Sequence, residues 1–102
     1  MEEACGKIAK LILPAVRASI AETMNTKYSY TQDDIAKKLG VVQVAVSKYL
    51  NKKYSKGVAE LKSMISEKGL NSAVIKSILD GRNSAHIQKE IEDLCANIYE
   101  ST

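Results

Sequence analysis

Gly40 divides a regular apolar pattern into two short halves. Before it, Ile35, Ala36 and Leu39 recur at helical spacing, and after it Val46 and Leu50 do so again beyond the apolar pair Val41-Val42. Thr31 followed by Asp34 resembles a capping box with aspartate in place of glutamate, so a helix is expected to start at Thr31. It must be short, because Gly40 stands where a left-handed residue closes a helix. A second short helix, beginning near Gln43, then ends in the polar cluster Asn51-Lys52-Lys53. Ala36 is small where the second helix would cross the first, and Gly40 tolerates the positive φ of a tight reversal. Ile35, Leu39, Val41, Val46 and Leu50 form the wedge between the two. The spacing predicts a helix-turn-helix over residues 31–53.

The rest of the chain repeats the helical period. From about Glu3 to Asn25, Ile8, Leu11, Ile12, Val16 and Ile20 mark an amphipathic helix that Pro14 is expected either to kink near residues 10–14 or to restart. Val58, Leu61, Met64 and Ile65 mark a further helix closed by Gly69. Asn71 is expected to cap another, bearing Val74, Ile75, Ile78 and Leu79 and closed by Gly81. The last runs over 84–100, with Ile87, Ile91, Leu94 and Ile98 along one side. No stretch alternates with period two over more than a few residues, so the expected fold is all-α: a compact single domain, 1–102, of about six helices.

Charge is placed unevenly. Within 31–56, Lys37, Lys38, Lys48, Lys52, Lys53 and Lys56 oppose Asp33 and Asp34, whereas from Asn83 onward only Lys89 opposes Glu90, Glu92, Asp93 and Glu100. One end of the molecule suits a polyanion and the other avoids it. With the wedge facing inward, Gln43, Val44, Ser47, Lys48 and Asn51 fall on the outward face of the second helix. Gln pairs bidentately with adenine, Val44 meets a thymine methyl, Ser47 reaches a base edge or phosphate, and Lys48 reaches guanine or phosphate. Gln32 is placed to contact phosphate and brace the first reading residue. Lys52, Lys53 and Lys56 are expected on phosphates, giving affinity and register. Tyr49 and Tyr54 suit either phosphate contacts or the edge of an aliphatic core. Double-stranded DNA is thus the expected partner.

The segment Leu39-Gly40-Val41-Val42-Gln43-Val44-Ala45-Val46-Ser47-Lys48-Tyr49-Leu50 resembles the XRE-type (Cro/repressor-like) helix-turn-helix. With Leu13-Pro14-Ala15-Val16-Arg17 and Cys5 upstream, the chain is similar to archaeal XRE-type transcriptional regulators, some fused to a thiamine-phosphate-synthase-like domain. The resemblance implies a dimeric regulator with Gln43, Val44, Ser47 and Lys48 at base edges. Val42 stands where such motifs commonly carry a capping Ser or Thr, which removes one phosphate contact and about 1 kcal/mol of cap stability. No ligand domain accompanies the motif here, so no effector carries over.

A single such unit reads few base pairs, and a homodimer is expected. The candidate surfaces are the terminal helices 3–25 and 84–100. Ile87, Ile91, Leu94 and Ile98 form either a coiled-coil-like dimer seam or a stripe that closes the monomer's own core. Cys5 and Cys95 allow buried thiols, a disulfide, or thiolates from two subunits around a metal, although no CxxC spacing supports a metal site. His86 is expected at the surface without a carboxylate partner.

No catalytic residues, cofactor or small-molecule substrate are indicated, because paired-carboxylate, Ser-His and glycine-rich phosphate motifs are missing. No leader-like segment and no apolar run of about 18 residues is present, so a soluble, cytoplasmic protein without membrane partners is expected. Two other readings stay open: a helical protein-interaction adaptor using the last helix, and a nonspecific chromatin-associated protein.

Overall fold

The computed structural model describes residues 2–101, with side chains described from Lys10 onward. Six helices follow one another: α1 (Glu2–Tyr28), α2 (Gln32–Leu39), α3 (Gln43–Leu50), α4 (Lys56–Lys68), α5 (Ser72–Leu79) and α6 (Ser84–Ser101). There is no strand among the described residues. Nor is any helix there long and apolar enough to cross a membrane.

Helix α1 is the post around which the others pack, touching all five of them. Its periodicity suggests one apolar stripe, but Ala15, Val16, Ala18, Ser19, Ile20 and Ala21 are all buried, so the middle of the helix is covered on nearly every side. The small side chains at 15, 18, 19 and 21 let neighbouring backbones approach closely. The helix runs unbroken through Pro14. Of the two expected outcomes, a restart at Pro14 does not occur, and the helix extends to Tyr28 rather than Asn25. Ser29, at φ 59°, turns the chain, and the Tyr30 N–H reaches the Met24 carbonyl at 3.0 Å.

Asn71 corrects a further expectation. It occupies the N-cap position of α5 but makes no side-chain cap bond. Its amide instead turns inward and donates to the Ser19 hydroxyl at 3.1 Å, while that hydroxyl donates to the Val16 carbonyl at 2.8 Å. Both side chains are buried, so the hydrogen bonds offset the desolvation that would otherwise oppose their burial. The caps that do form are Thr31 on α2, Ser55 on α4 and Asn83 on α6.

At the α1–α4 contact, Lys62 pairs with Glu22. Burial is the largest influence on the Lys62 ammonium and pulls its pKa down, but the hydrogen bond and charge of Glu22, helped by Tyr54, outweigh it and leave the pKa raised.

Helix α6 packs on α1, α2 and α5. Ile87, Ile91 and Ile98 are buried in the monomer's own core and Leu94 is half-buried against it. The stripe offered as a dimer seam therefore closes the core, for a physical reason: α1 exposes aliphatic surface on the side that α6 covers. The described middle of α1 is likewise interior, so pairing two copies through either set of residues would require opening the fold.

The α2–α3 turn is tied to α6. Gly40 adopts φ 68°, and the Val41 N–H closes α2 on the Ala36 carbonyl at 3.1 Å. A Cβ at Gly40 would lie 1.9 Å from Nε2 of Gln88. The clash involves the end of a flexible side chain, whereas the left-handed backbone itself costs an L-residue about 1–2 kcal/mol. Gly40→Ala is therefore expected to lower unfolding stability by about 1–2 kcal/mol in a urea titration, and adding Gln88→Ala should recover only a small part of it. Full recovery would show that crowding, not φ, makes the glycine necessary.

Candidate nucleic-acid interface

Helix α3 is held by one side and presents the other. Val46 has no exposed surface, and Ala45, Tyr49 and Leu50 are half-buried around it. Rotation by about 100° per residue then turns Val44, Lys48 and Asn51 furthest from the core, and all three are exposed. Gln43 is also exposed, Ser47 is half-buried beside this row, and Gln32 is half-buried at the first position of α2. The amide of Asn51 donates to the Ser47 carbonyl at 2.9 Å and to its hydroxyl at 3.2 Å. The Asn51 amide is thus committed to its own helix end, while the Ser47 hydroxyl keeps a proton to donate.

The start of α3 is bare. Val42 holds the N-cap position without a side-chain bond, and the first turn contains no acidic residue. The partial positive charge of the helix N-terminus is therefore not neutralised from within the helix. Val42 and Val44 are 70% and 64% exposed, more than any other large apolar side chain among the described residues.

The lysines divide into two sets. Lys37 pairs with Asp33 at 3.0 Å, which raises its pKa through the hydrogen bond and charge, and Lys38 donates to the Arg82 carbonyl at 3.0 Å. Lys48, Lys52, Lys53 and Lys56 are exposed, and no ion pair engages them among the described residues. Positive charge is thus concentrated from the middle of α3 to the start of α4. Tyr49 and Tyr54 are half-buried and pack against the aliphatic core.

Lys52 carries a conformational cost. Four helices close with an N–H reaching back five residues: Val41 to Ala36, Lys53 to Lys48, Leu70 to Ile65 and Arg82 to Ser77. The left-handed residue is glycine in three of them, but after α3 it is Lys52, at φ 58°. A non-glycine residue held there costs about 1 kcal/mol, and such strain gathers at functional sites.

Other candidate residues lie elsewhere. His86 is at the surface as expected, but it does have a carboxylate partner: its Nε2 lies 2.9 Å from Oε1 of Glu90, one helical turn on. Cys95 is a half-buried free thiol, and burial pushes its pKa up, with Arg17 opposing and Glu92 adding. The side chain of Cys5 lies outside the described residues. Among the described residues no group of three or more His, Cys, Asp and Glu side chains converges. A groove of about 550 Å³ between the end of α1, the end of α4 and α5 contains none of the residues expected to read DNA.

No protein family, curated protein or solved structure matches this chain. The arrangement around α3 has one stability consequence that needs no partner to measure. Lys52→Gly should raise unfolding stability by about 1 kcal/mol, read as a higher urea midpoint at unchanged slope. A lower midpoint would mean that the lysine makes compensating contacts.

Proposed function

We propose that α2, its turn and α3 form a helix-turn-helix that docks α3 in the major groove of double-stranded DNA, and that the protein is a homodimeric, cytoplasmic, sequence-specific transcriptional regulator of the XRE type, similar to archaeal members. The observation that carries this reading is the pairing of two properties on one helix. Val46 fixes α3 by full burial, while the opposite side offers Val44 and Lys48 to solvent, with exposed Gln43 in the first turn and lysines that no ion pair engages among the described residues.

On this reading Gln43, Val44, Ser47 and Lys48 meet base edges, and Val42 lies at the groove with them. Lys52, Lys53 and Lys56 meet phosphates on the flank, where they supply affinity and register. Asn51 acts mainly by positioning Ser47, since its amide is already spent on that residue. Gln32 lies at the start of the supporting helix, within reach of the backbone of the duplex. Pairing of two copies would extend the site to half-sites about one helical turn apart.

The adaptor reading loses its main support, because the isoleucines of α6 on which it rested are inside the core. Nonspecific packaging is separated from sequence reading by the side chains at 43 and 47, which a packaging protein does not need.

Selection from a random duplex pool tests the proposal. The wild-type chain is expected to enrich a palindromic site, with retention that falls steeply as salt rises. Gln43→Ala/Ser47→Ala should lose the enrichment. Retention without enrichment would instead indicate packaging, and no retention would overturn DNA binding altogether.

A further inference from the structure

Two isopropyl groups at the start of α3 have no role in the fold. Val42 and Val44 flank Gln43 and are the two most exposed large apolar side chains among the described residues. Val42 also occupies a cap position where it makes no side-chain bond. A serine or threonine there could bond the open N–H groups of the helix, so an exposed valine gives up a local gain.

The surroundings restrict what can cover these groups. Lys48, Lys52 and Lys53 stand exposed along the same helix and its end, and no ion pair engages them among the described residues. An apolar protein surface would have to desolvate those ammonium groups without repaying them. The occupant must therefore combine small apolar contacts with closely spaced anions. In the major groove, the C5-methyl of thymine is such a contact, set between two rows of phosphates.

Resting on the DNA-binding reading above, we propose that Val42 and Val44 read pyrimidine C5-methyl groups, so that each half-site carries thymines under the first turn of α3, recognised by their methyls. Two residues of chain span at most about 7 Å, and base pairs rise about 3.4 Å, so the two contacts fall within about two base steps of each other. This distinguishes thymine from cytosine, which lacks the methyl, without any hydrogen bond.

The test replaces the thymines of a selected duplex one at a time with deoxyuridine, which exchanges the methyl for hydrogen and leaves every donor and acceptor in place. With the full chain, one or two positions per half-site should weaken binding about fourfold each, the worth of one buried methyl. Val44→Ala should remove the sensitivity at one of those positions and Val42→Ala at the other. Both variants alter exposed side chains, and unchanged thermal unfolding would confirm that they fold.

Lys53→Ala should bind more weakly yet keep both sensitivities. If a specific duplex binds and no deoxyuridine position matters, or if the sensitivity persists in Val42→Ala/Val44→Ala, methyl reading is wrong while DNA binding stands. If no duplex is retained, both proposals fall, and an acidic protein surface becomes the occupant of the two valines.

Discussion

Because α1 is buried on nearly all sides, every other helix takes its position from contact with it. Ala15, Ala18, Ser19 and Ala21 make a slender middle section against which several helices pack closely. Each neighbour then needs only a narrow apolar edge: Val46 from α3, Val58 and Ile65 from α4, Val74 and Ile78 from α5, Ile87, Ile91 and Ile98 from α6. Burying one such side chain contributes about 1.5–3 kcal/mol, so three isoleucines suffice to fasten α6. A chain without Phe or Trp can build a core this way because it relies on many thin contacts in place of a few broad ones.

That economy has a consequence for the surface. Short helices that spend only one edge on the core leave the remainder free, and α3 spends least, with Val46 as its one fully buried residue. Its orientation is secured indirectly. The turn before it closes on Ala36, Lys38 reaches the Arg82 carbonyl in the α5–α6 connection, and Gln88 lies against Gly40. The acidic helix α6 thus braces the side of the α2–α3 unit that carries the turn. Lys48, Lys52, Lys53 and Lys56, which no ion pair engages among the described residues, lie beyond the middle of α3. The same arrangement tolerates a left-handed Lys52 where glycine would be easier, at a cost of about 1 kcal/mol.

Much of this was legible in the sequence, for identifiable reasons. Thr31, Gly40 and the apolar wedge are local signals whose spacing fixes two short helices, and both appear with boundaries within a residue or two. What escaped were features set by tertiary contact. Ala18 and Ser19 carry no hydrophobic periodicity, so a central helix looks amphipathic. Asn71 looks like a cap because its preferred local bond is readable and its bond to Ser19, far away in the chain, is not. The isoleucine stripe of α6 fits a dimer seam as well as a core, and only the position of α1 decides between them. Other omissions were readable. His86 and Glu90 are one turn apart, as are Lys37 and Asp33, and Ser55 and Asn83 are ordinary capping residues.

If the outward side of α3 is the DNA-contacting face, titrating isotopically labelled protein with a short random-sequence duplex will show it in the backbone amide shifts followed by NMR. At low salt, shifts are expected to concentrate on Gln32 and on residues 42–53 and to fade as salt screens the lysines, while Glu92, Asp93 and Glu100 on α6 stay unmoved. Shifts centred on α6, or a spectrum indifferent to the duplex at any salt, would rule out α3 as the contact face.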